Sequence, residues 1–156
     1  GATVLDRAWR DLDIHGTPLR LGGLYDYAFA LDDRNSCDPD RMDPEVCRFL
    51  TDFQDTERFT LMLSHRPDSF ALGEAARTWS IDLVLSGHAH GGQVVLPVLG
   101  GVFGGDLGLF SPYLHGMCRK DGLTMAVTSG LGSQRERLPR FHNPPEIMVI
   151  DLTPES

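Results

Sequence analysis

Two short apolar runs, separated by a segment of helical periodicity, constrain the fold of this 156-residue chain more than any other feature. Residues 59–63 and 81–85 are nearly continuous in apolar side chains, which is typical of strands covered on both faces. Between them, a helix is predicted to begin at Asp68 or Ser69. A strand, a helix and a second strand almost always form a parallel pair with a right-handed crossover, so the sequence predicts an α/β fold. The apolar residues at helical spacing are Leu72, Ala75, Ala76 and Trp79.

Capping and turn residues predict the remaining elements. Asp43 is a preferred helix N-cap and Pro44 fits the first helical position, so a helix begins there. The residues between Tyr25 and Asp43 are polar and show no period, which predicts a loop. Further strands are predicted over residues 12–14, 19–24, 93–98, 114–119, 123–127 and 147–152.

Composition excludes several classes of protein. The formal net charge is −8, from 22 acidic and 14 basic residues, whereas nucleic-acid-binding proteins usually present a basic face, so we expect no nucleic-acid partner. No apolar run approaches the 18 residues of a membrane span. Cys37, Cys47 and Cys118 show no CxxC spacing, so a reduced, cytoplasmic location is the simpler expectation.

Three histidines follow the two apolar runs directly. His65 comes after the first predicted strand, and His88 and His90 come after the second. Parallel strands end at the same edge of a sheet, which is where ligands bind in open α/β folds. Neutral imidazole is the commonest protein ligand for Zn, Fe, Mn or Ni, so we predict that His65, His88 and His90 bind metal. Considered alone, each of these histidines could instead have a structural role and make only hydrogen bonds.

The neighbouring residues resemble a known family. The strings LSHRPD at residues 63–68 and LVLSGHAHGGQ at residues 83–93 resemble the last two motifs of the calcineurin-like metallophosphoesterases. Later strings resemble one bacterial branch, with the GHxHGGQ box, that includes enzymes similar to UDP-2,3-diacylglucosamine pyrophosphatases. Those strings are SGLG at residues 129–132, PRF at 139–141 and PPEI at 144–147.

The resemblance implies a fold, an activity and roles for individual residues. The fold is a four-layer α-β-β-α sandwich with mixed sheets, and residues 1–156 would be the C-terminal portion of that single domain. The activity is phosphoester hydrolysis with two divalent ions (Mn, Fe or Zn) that bind the phosphate and activate water. His65 and His88 would bind one ion and His90 the other, while Arg140 would contact the substrate phosphate. The substrate would be a phosphorylated small molecule or a lipid-linked one.

The family's earlier motifs, DxH, GDxxD and GNH(D/E), are not found in this order upstream of the histidines. Asp13-Ile14-His15 matches DxH as a string, but no GD or GNH motif follows it in the family's order, because Gly105-Asp106 comes after the histidines. Without a bridging carboxylate, we expect this chain alone to bind at most one ion, weakly, and to be inactive. Apolar faces of a half-fold predict self-association or pairing with a missing N-terminal half, and any membrane attachment would come from that segment.

Two other functions remain open. One is a non-catalytic module that keeps the half-fold for structure or interaction. The other is a mononuclear zinc hydrolase that uses His65, His88 and His90 as its three protein ligands.

Overall fold

The computed structural model describes residues 1–25, 41–72, 74–132 and 139–153. Most of the predicted loop between Tyr25 and Asp43 lies outside these residues. The described strands are β1 (Ala8–Ile14), β2 (Thr17–Leu24), β3 (Phe59–Ser64), β4 (Leu83–Ser86), β5 (Val95–Leu96), β6 (Gly100–Gly101), β7 (Gly116–Lys120) and β8 (Leu123–Val127). The described α-helices are α1 (Pro44–Gln54), α2 (Asp68–Ala71) and α3 (Ala75–Thr78).

Within the described residues, six strands form one mixed sheet in the order β1-β2-β3-β4-β8-β7. The inner strands β2, β3, β4 and β8 are mutually parallel. The edge strands β1 and β7 run antiparallel to their neighbours β2 and β8. This arrangement confirms the predicted α/β class and gives β2, β3, β4 and β8 a common carboxyl edge.

Helix α1 begins where capping predicts. The Asp43 carboxylate accepts hydrogen bonds from the backbone N–H groups of Glu45 and Val46, and Pro44 occupies the first turn. The helix packs directly on the sheet backbone, because a Cβ on Gly22 would lie 2.5 Å from Cε2 of Phe53. Among the described residues, no helix is long and apolar enough to cross a bilayer.

The two faces of the sheet are covered differently. One face lies under the three helices and carries the larger core, in which Met62, Val84 and Met125 are fully buried. The opposite face carries a smaller cluster of Leu19, Leu61, Leu83 and Ala126, against which Met148 and Ile150 pack. The described residues thus place helices on one face of one large sheet. The four-layer sandwich stays a prediction.

The helix predicted between the two apolar runs is two short helices. Pro67 takes the N-cap position, so Asp68 lies inside α2 and the prediction of Asp68 or Ser69 as the cap is wrong. Leu72 is extended, with φ −101° and ψ 157°, which ends α2 after one turn. The Lys120 ammonium donates to the carbonyl of Ala71, which satisfies a helix-end acceptor that a longer helix would have used.

Two of the predicted strands are corrected by the structure. Residues 147–152 alternate as expected, with Met148 and Ile150 towards the sheet, but they form no strand because no described neighbour pairs with them. The strand predicted over residues 93–98 is shorter in the structure: only β5 forms, and it pairs with the equally short β6. Alternation predicts which side chains are buried, whereas a strand also requires a hydrogen-bonding partner.

Helix α1 is predicted to anchor the larger core through Phe53. Replacing this fully buried ring by Phe53→Ala should lower the free energy of unfolding by about 3–5 kcal/mol, measured by urea denaturation. Phe59→Ala is the matched control, since Phe59 is 36% exposed and its loss should cost clearly less. Equal losses for the two variants would contradict the assigned core.

Candidate metal centre

The carboxyl edge of the parallel strands brings His65 and His88 together. His65 directly follows β3 and His88 follows β4 after one glycine, and the two strands are neighbours. Backbone hydrogen bonds fix the strand ends, since the His65 N–H donates to the carbonyl of Leu24 and the Gly87 N–H donates to that of His65. The predicted convergence of these two histidines is therefore a consequence of sheet topology.

The two imidazoles are placed as metal ligands would be. Nδ1 of His88 lies 3.0 Å from Nε2 of His65, and the rings meet nearly edge to face. Two nitrogen ligands at 2.0–2.1 Å from one ion, at angles of 90–109°, are themselves about 2.9–3.4 Å apart. The pair therefore fits a shared transition-metal ion, and the same distance suits a hydrogen bond when no ion is bound.

His90 lies near this pair without joining it in one ligand cluster. In the described ranges, no group of three or more His, Cys, Asp or Glu side chains is close enough to hold one ion. Burial lowers the pKa of His90 most, Arg140 lowers it further, and the neighbouring His65 contributes less. Among the described residues, His90 and the His65–His88 pair therefore do not form one cluster of three ligating side chains, with or without a carboxylate.

The surroundings keep two of the imidazoles neutral. Burial lowers the pKa of His88, and the Arg66 guanidinium lowers it further. Burial also lowers the pKa of His90, with a second contribution from Arg140. Because a lowered pKa keeps the ring unprotonated at neutral pH, both side chains can donate a nitrogen lone pair to a cation.

The loop that carries His88 and His90 adopts an uncommon backbone. His88, His90 and Gln93 all have positive φ, at 61°, 48° and 59°. Non-glycine residues in this region cost roughly 1–3 kcal/mol each, and such strain clusters at functional sites. A structure that holds three of them must supply compensating interactions.

Asn143 supplies the main compensation. Its side-chain Nδ2 donates to the carbonyls of His90, at 2.6 Å, and of Gln93, at 3.1 Å. The fit is close, since a Cβ on Gly91 would lie 2.9 Å from Oδ1 of Asn143. We call residues 139–146 the clamp segment. The backbone of Phe141 extends the attachment by donating to Gln93 and accepting from Val95.

Arg140 lies in the clamp segment and is occupied by backbone acceptors. Its guanidinium donates to the carbonyls of Ser129, Gly130 and Gly132, and also to Oδ1 of Asn143. These bonds hold the loop after β8. The predicted contact of Arg140 with substrate phosphate is not tested by this geometry and stays a prediction.

Glu146, like Asn143, is a residue of the clamp segment whose role was not predicted from the sequence motifs. Its Oε1 lies 2.9 Å from Nε2 of His115, and its Oε2 accepts from the Thr128 hydroxyl and the Ser129 N–H. The His115 contact lowers the pKa of Glu146 most. Glu146 therefore helps to hold the loop after β8, in which the Ser129 carbonyl also accepts from Arg140. The signal in the sequence was the PPE string at residues 144–146.

The string Asp13-Ile14-His15 lies away from the three histidines. Strand β1 is antiparallel to β2, so its end at Ile14 meets the start of β2, at the edge opposite the carboxyl ends of β2–β4. Asp13 accepts a hydrogen bond from the Gly16 N–H, which makes it a turn residue. His15 is exposed in that turn.

Comparison with known proteins gives three informative likenesses. Over 144 residues the chain is 33% identical to a protein of Helicobacter pylori (strain J99) named an uncharacterized metallophosphoesterase, which covers 92% of the chain and 34% of that protein. It is 38% identical over 96 residues to YkuE of Bacillus subtilis, which has the same description, over 60% of the chain and 31% of that protein. A protein of H. pylori strain 26695, also so named, is 31% identical over 144 residues, 92% of the chain and 34% of that protein.

The chain therefore spans about a third of the length of the curated relatives it matches. No family model matches it, and no solved structure matches it. All three of these relatives are named metallophosphoesterases.

We expect His65 and His88 to dominate the affinity of the chain for divalent metals. His65→Ala and His88→Ala should each weaken Co²⁺ binding by more than about tenfold, because each removes half of the paired donor set. Titration monitored by Co²⁺ absorption gives the dissociation constants. His15→Ala is the control and should bind as the unaltered chain does, whereas an equal loss in His15→Ala would contradict the assigned site.

The Asn143 side chain should matter for stability and for the metal loop together. Asn143→Ala leaves the carbonyls of His90 and Gln93 without their donor, which should lower the free energy of unfolding by about 1–3 kcal/mol. The Co²⁺ affinity should fall as well, since the loop loses its attachment. Leu131→Ala, at a 66% exposed residue of the adjoining loop, should change neither quantity. Unaltered Co²⁺ affinity in Asn143→Ala would show that the clamp segment does not position the histidines.

Proposed function

We propose that this chain is part of a metal-dependent phosphoester hydrolase of the metallophosphoesterase family. The observation that carries the proposal is the 3.0 Å separation between Nε2 of His65 and Nδ1 of His88 at a carboxyl sheet edge. Its support is the similarity of the chain to three proteins named metallophosphoesterases. Hydrolysis of phosphoesters by this family depends on bound metal ions, and His65 and His88 are the candidate metal ligands.

In the proposed enzyme, His65 and His88 hold one divalent ion and His90 contributes to a second, with Mn, Fe or Zn as candidates. Divalent ions supply electrostatic stabilisation of the phosphoryl oxygens when they are bound. The chain's own residues position the imidazoles and keep His88 and His90 neutral by burial. Arg140 is the candidate contact for the phosphate of the substrate.

The remaining ligands are proposed to come from sequence outside this chain. Three neutral imidazoles do not compensate two divalent cations, and the described residues hold no carboxylate in a cluster with them. The relatives are about three times as long as the matched segment. We therefore regard the chain as the C-terminal portion of a four-layer domain, whose exposed sheet face pairs with the rest or with a second copy.

Substrate and location remain part of the proposal. A phosphorylated small molecule or a lipid-linked phosphate fits the resemblance to enzymes similar to UDP-2,3-diacylglucosamine pyrophosphatases. The corresponding location is the cytoplasm, or a membrane surface reached through a segment outside this chain. The net charge of −8 is the reason that no nucleic acid is included.

One geometric observation favours a second candidate, a mononuclear zinc hydrolase. The His65–His88 pair has the spacing of ligands to one ion, and a mononuclear site would take His90 as its third protein ligand. Metal analysis separates the candidates: one tightly held zinc per chain supports the mononuclear site. Metal-free protein supports a binuclear site that needs further ligands, or a non-catalytic module.

Because some metal ligands are proposed to lie outside this chain, we predict different activities for the chain alone and for a longer protein that contains it. With Mn²⁺ and bis(p-nitrophenyl) phosphate, the isolated chain should show no turnover above buffer. The longer protein should hydrolyse the diester, and His88→Ala should lower its kcat by more than about a hundredfold. His15→Ala is the control with unaltered kcat.

Two results would contradict these expectations in different ways. Robust turnover by the isolated chain would show that its three histidines suffice for catalysis. A longer protein that hydrolyses no phosphate monoester, diester or pyrophosphate with Mn²⁺, Fe²⁺ or Zn²⁺ would exclude the proposed function.

A further inference from the structure

A cavity of about 300 Å³ lies beside the histidine loop. His88, His90, Arg66 and Gln93 line it, together with Gly104 and Gly105. Its volume is at the lower limit of small-molecule sites, so it suits a compact polar group. The cavity opens next to the imidazoles that are proposed to hold the metal ions.

Gln93 is the unusual residue of this cavity. It is 7% exposed, and neither Oε1 nor Nε2 of its side chain has a hydrogen-bond partner. Buried side-chain amides are nearly always paired, so an unpaired one calls for an explanation such as a bound ligand or water. Gln54 provides the contrast, because its Oε1 accepts a hydrogen bond from the Ser80 N–H.

The backbone conformation of Gln93 is also unusual. Its φ of 59° and ψ of −58°, with the Val94 N–H donating to the Gly92 carbonyl at 2.6 Å, form a γ-turn of the rare and strained kind. Glycine would relieve this strain, yet a long polar side chain occupies the position. Asn143 and Phe141 both donate to the Gln93 carbonyl and hold the residue in place. Strain of this kind collects where a side chain must be presented to a ligand.

The chemistry of the cavity wall indicates the ligand. Arg66 contributes to the wall a guanidinium that is held by Asp68 and Asp106. The Gln93 amide is neutral and offers one acceptor and a donor group side by side. A hydroxyl group is the smallest partner that satisfies both, whereas a phosphoryl oxygen would leave Oε1 unpaired.

We infer that Gln93 recognises a hydroxyl group on the alcohol part of the phosphoester, close to the phosphoryl group, so that the substrate is the phosphate ester of a polyol or sugar. This inference rests on the proposed phosphoesterase function and adds the substrate class to it. Gln93 is assigned to substrate specificity and not to metal binding. A site built around a buried hydrogen-bonding group discriminates strongly against an analogue that lacks its partner.

Two esters of equal size test the inference. 2-Hydroxyethyl phosphate and propyl phosphate differ by a hydroxyl in place of a methyl group. Their dissociation constants are measured by isothermal titration calorimetry on the 156-residue chain with Mn²⁺ in excess. The chain should bind 2-hydroxyethyl phosphate about tenfold more tightly. In Gln93→Met, which keeps the side-chain length, the ratio should fall to about one while propyl phosphate binds as before.

Controls separate the possible failures. Gln54→Met changes the other described glutamine and should keep the tenfold preference, and Mn²⁺ affinity is measured in every variant. Mn²⁺ binding without any binding of either ester would overturn the substrate role of Gln93, whereas the phosphoesterase proposal is decided separately by the activity of the longer protein. Binding of both esters with no preference, or with a preference that survives in Gln93→Met, would overturn the assignment of Gln93 alone.

Discussion

The parallel pairing of β3 with β4 is the constraint on which the candidate metal centre depends. It aligns Leu61 with Leu83 and Leu63 with Leu85, so the two strands end together and deliver His65 and His88 to the same point. A shift in register by one residue would move one imidazole by about 3.3 Å relative to the other and part the two nitrogens that now lie 3.0 Å apart. The core under the helices, with Met62 and Val84 fully buried, is what sets this register.

A second constraint acts on the loop after β4. This loop holds three non-glycine residues with positive φ, and the clamp segment, residues 139–146, attaches it through hydrogen bonds to the carbonyls of His90 and Gln93. The clamp segment is itself attached to the loop after β8 through Arg140 and Glu146. The ends of β4 and β8, adjacent in the sheet, are thereby joined into one rigid support for His90 and Gln93.

Local patterns in the sequence predicted the parts of the fold that depend on neighbouring residues. Asp43 caps its own helix, and Thr60, Leu61 and Met62 of the run at residues 59–63 are buried in β3, so short windows suffice for both. Residues 147–152 illustrate the limit, because alternation predicts burial but a strand needs a partner. The roles of Asn143, Gln93 and Glu146 were missed for a related reason. Their bonds join residues 17 to 53 positions apart, which one sequence does not reveal.

The most direct test of this account is the coordination shell of zinc bound to the chain. X-ray absorption of the Zn²⁺-loaded protein should show at least two imidazole nitrogens at about 2.0–2.1 Å from the metal. The same spectrum of His88→Ala should lose one imidazole, while that of His15→Ala should be unaltered. A shell of oxygen ligands alone, or one that does not change in His88→Ala, would contradict the claim that the sheet edge brings His65 and His88 to one ion.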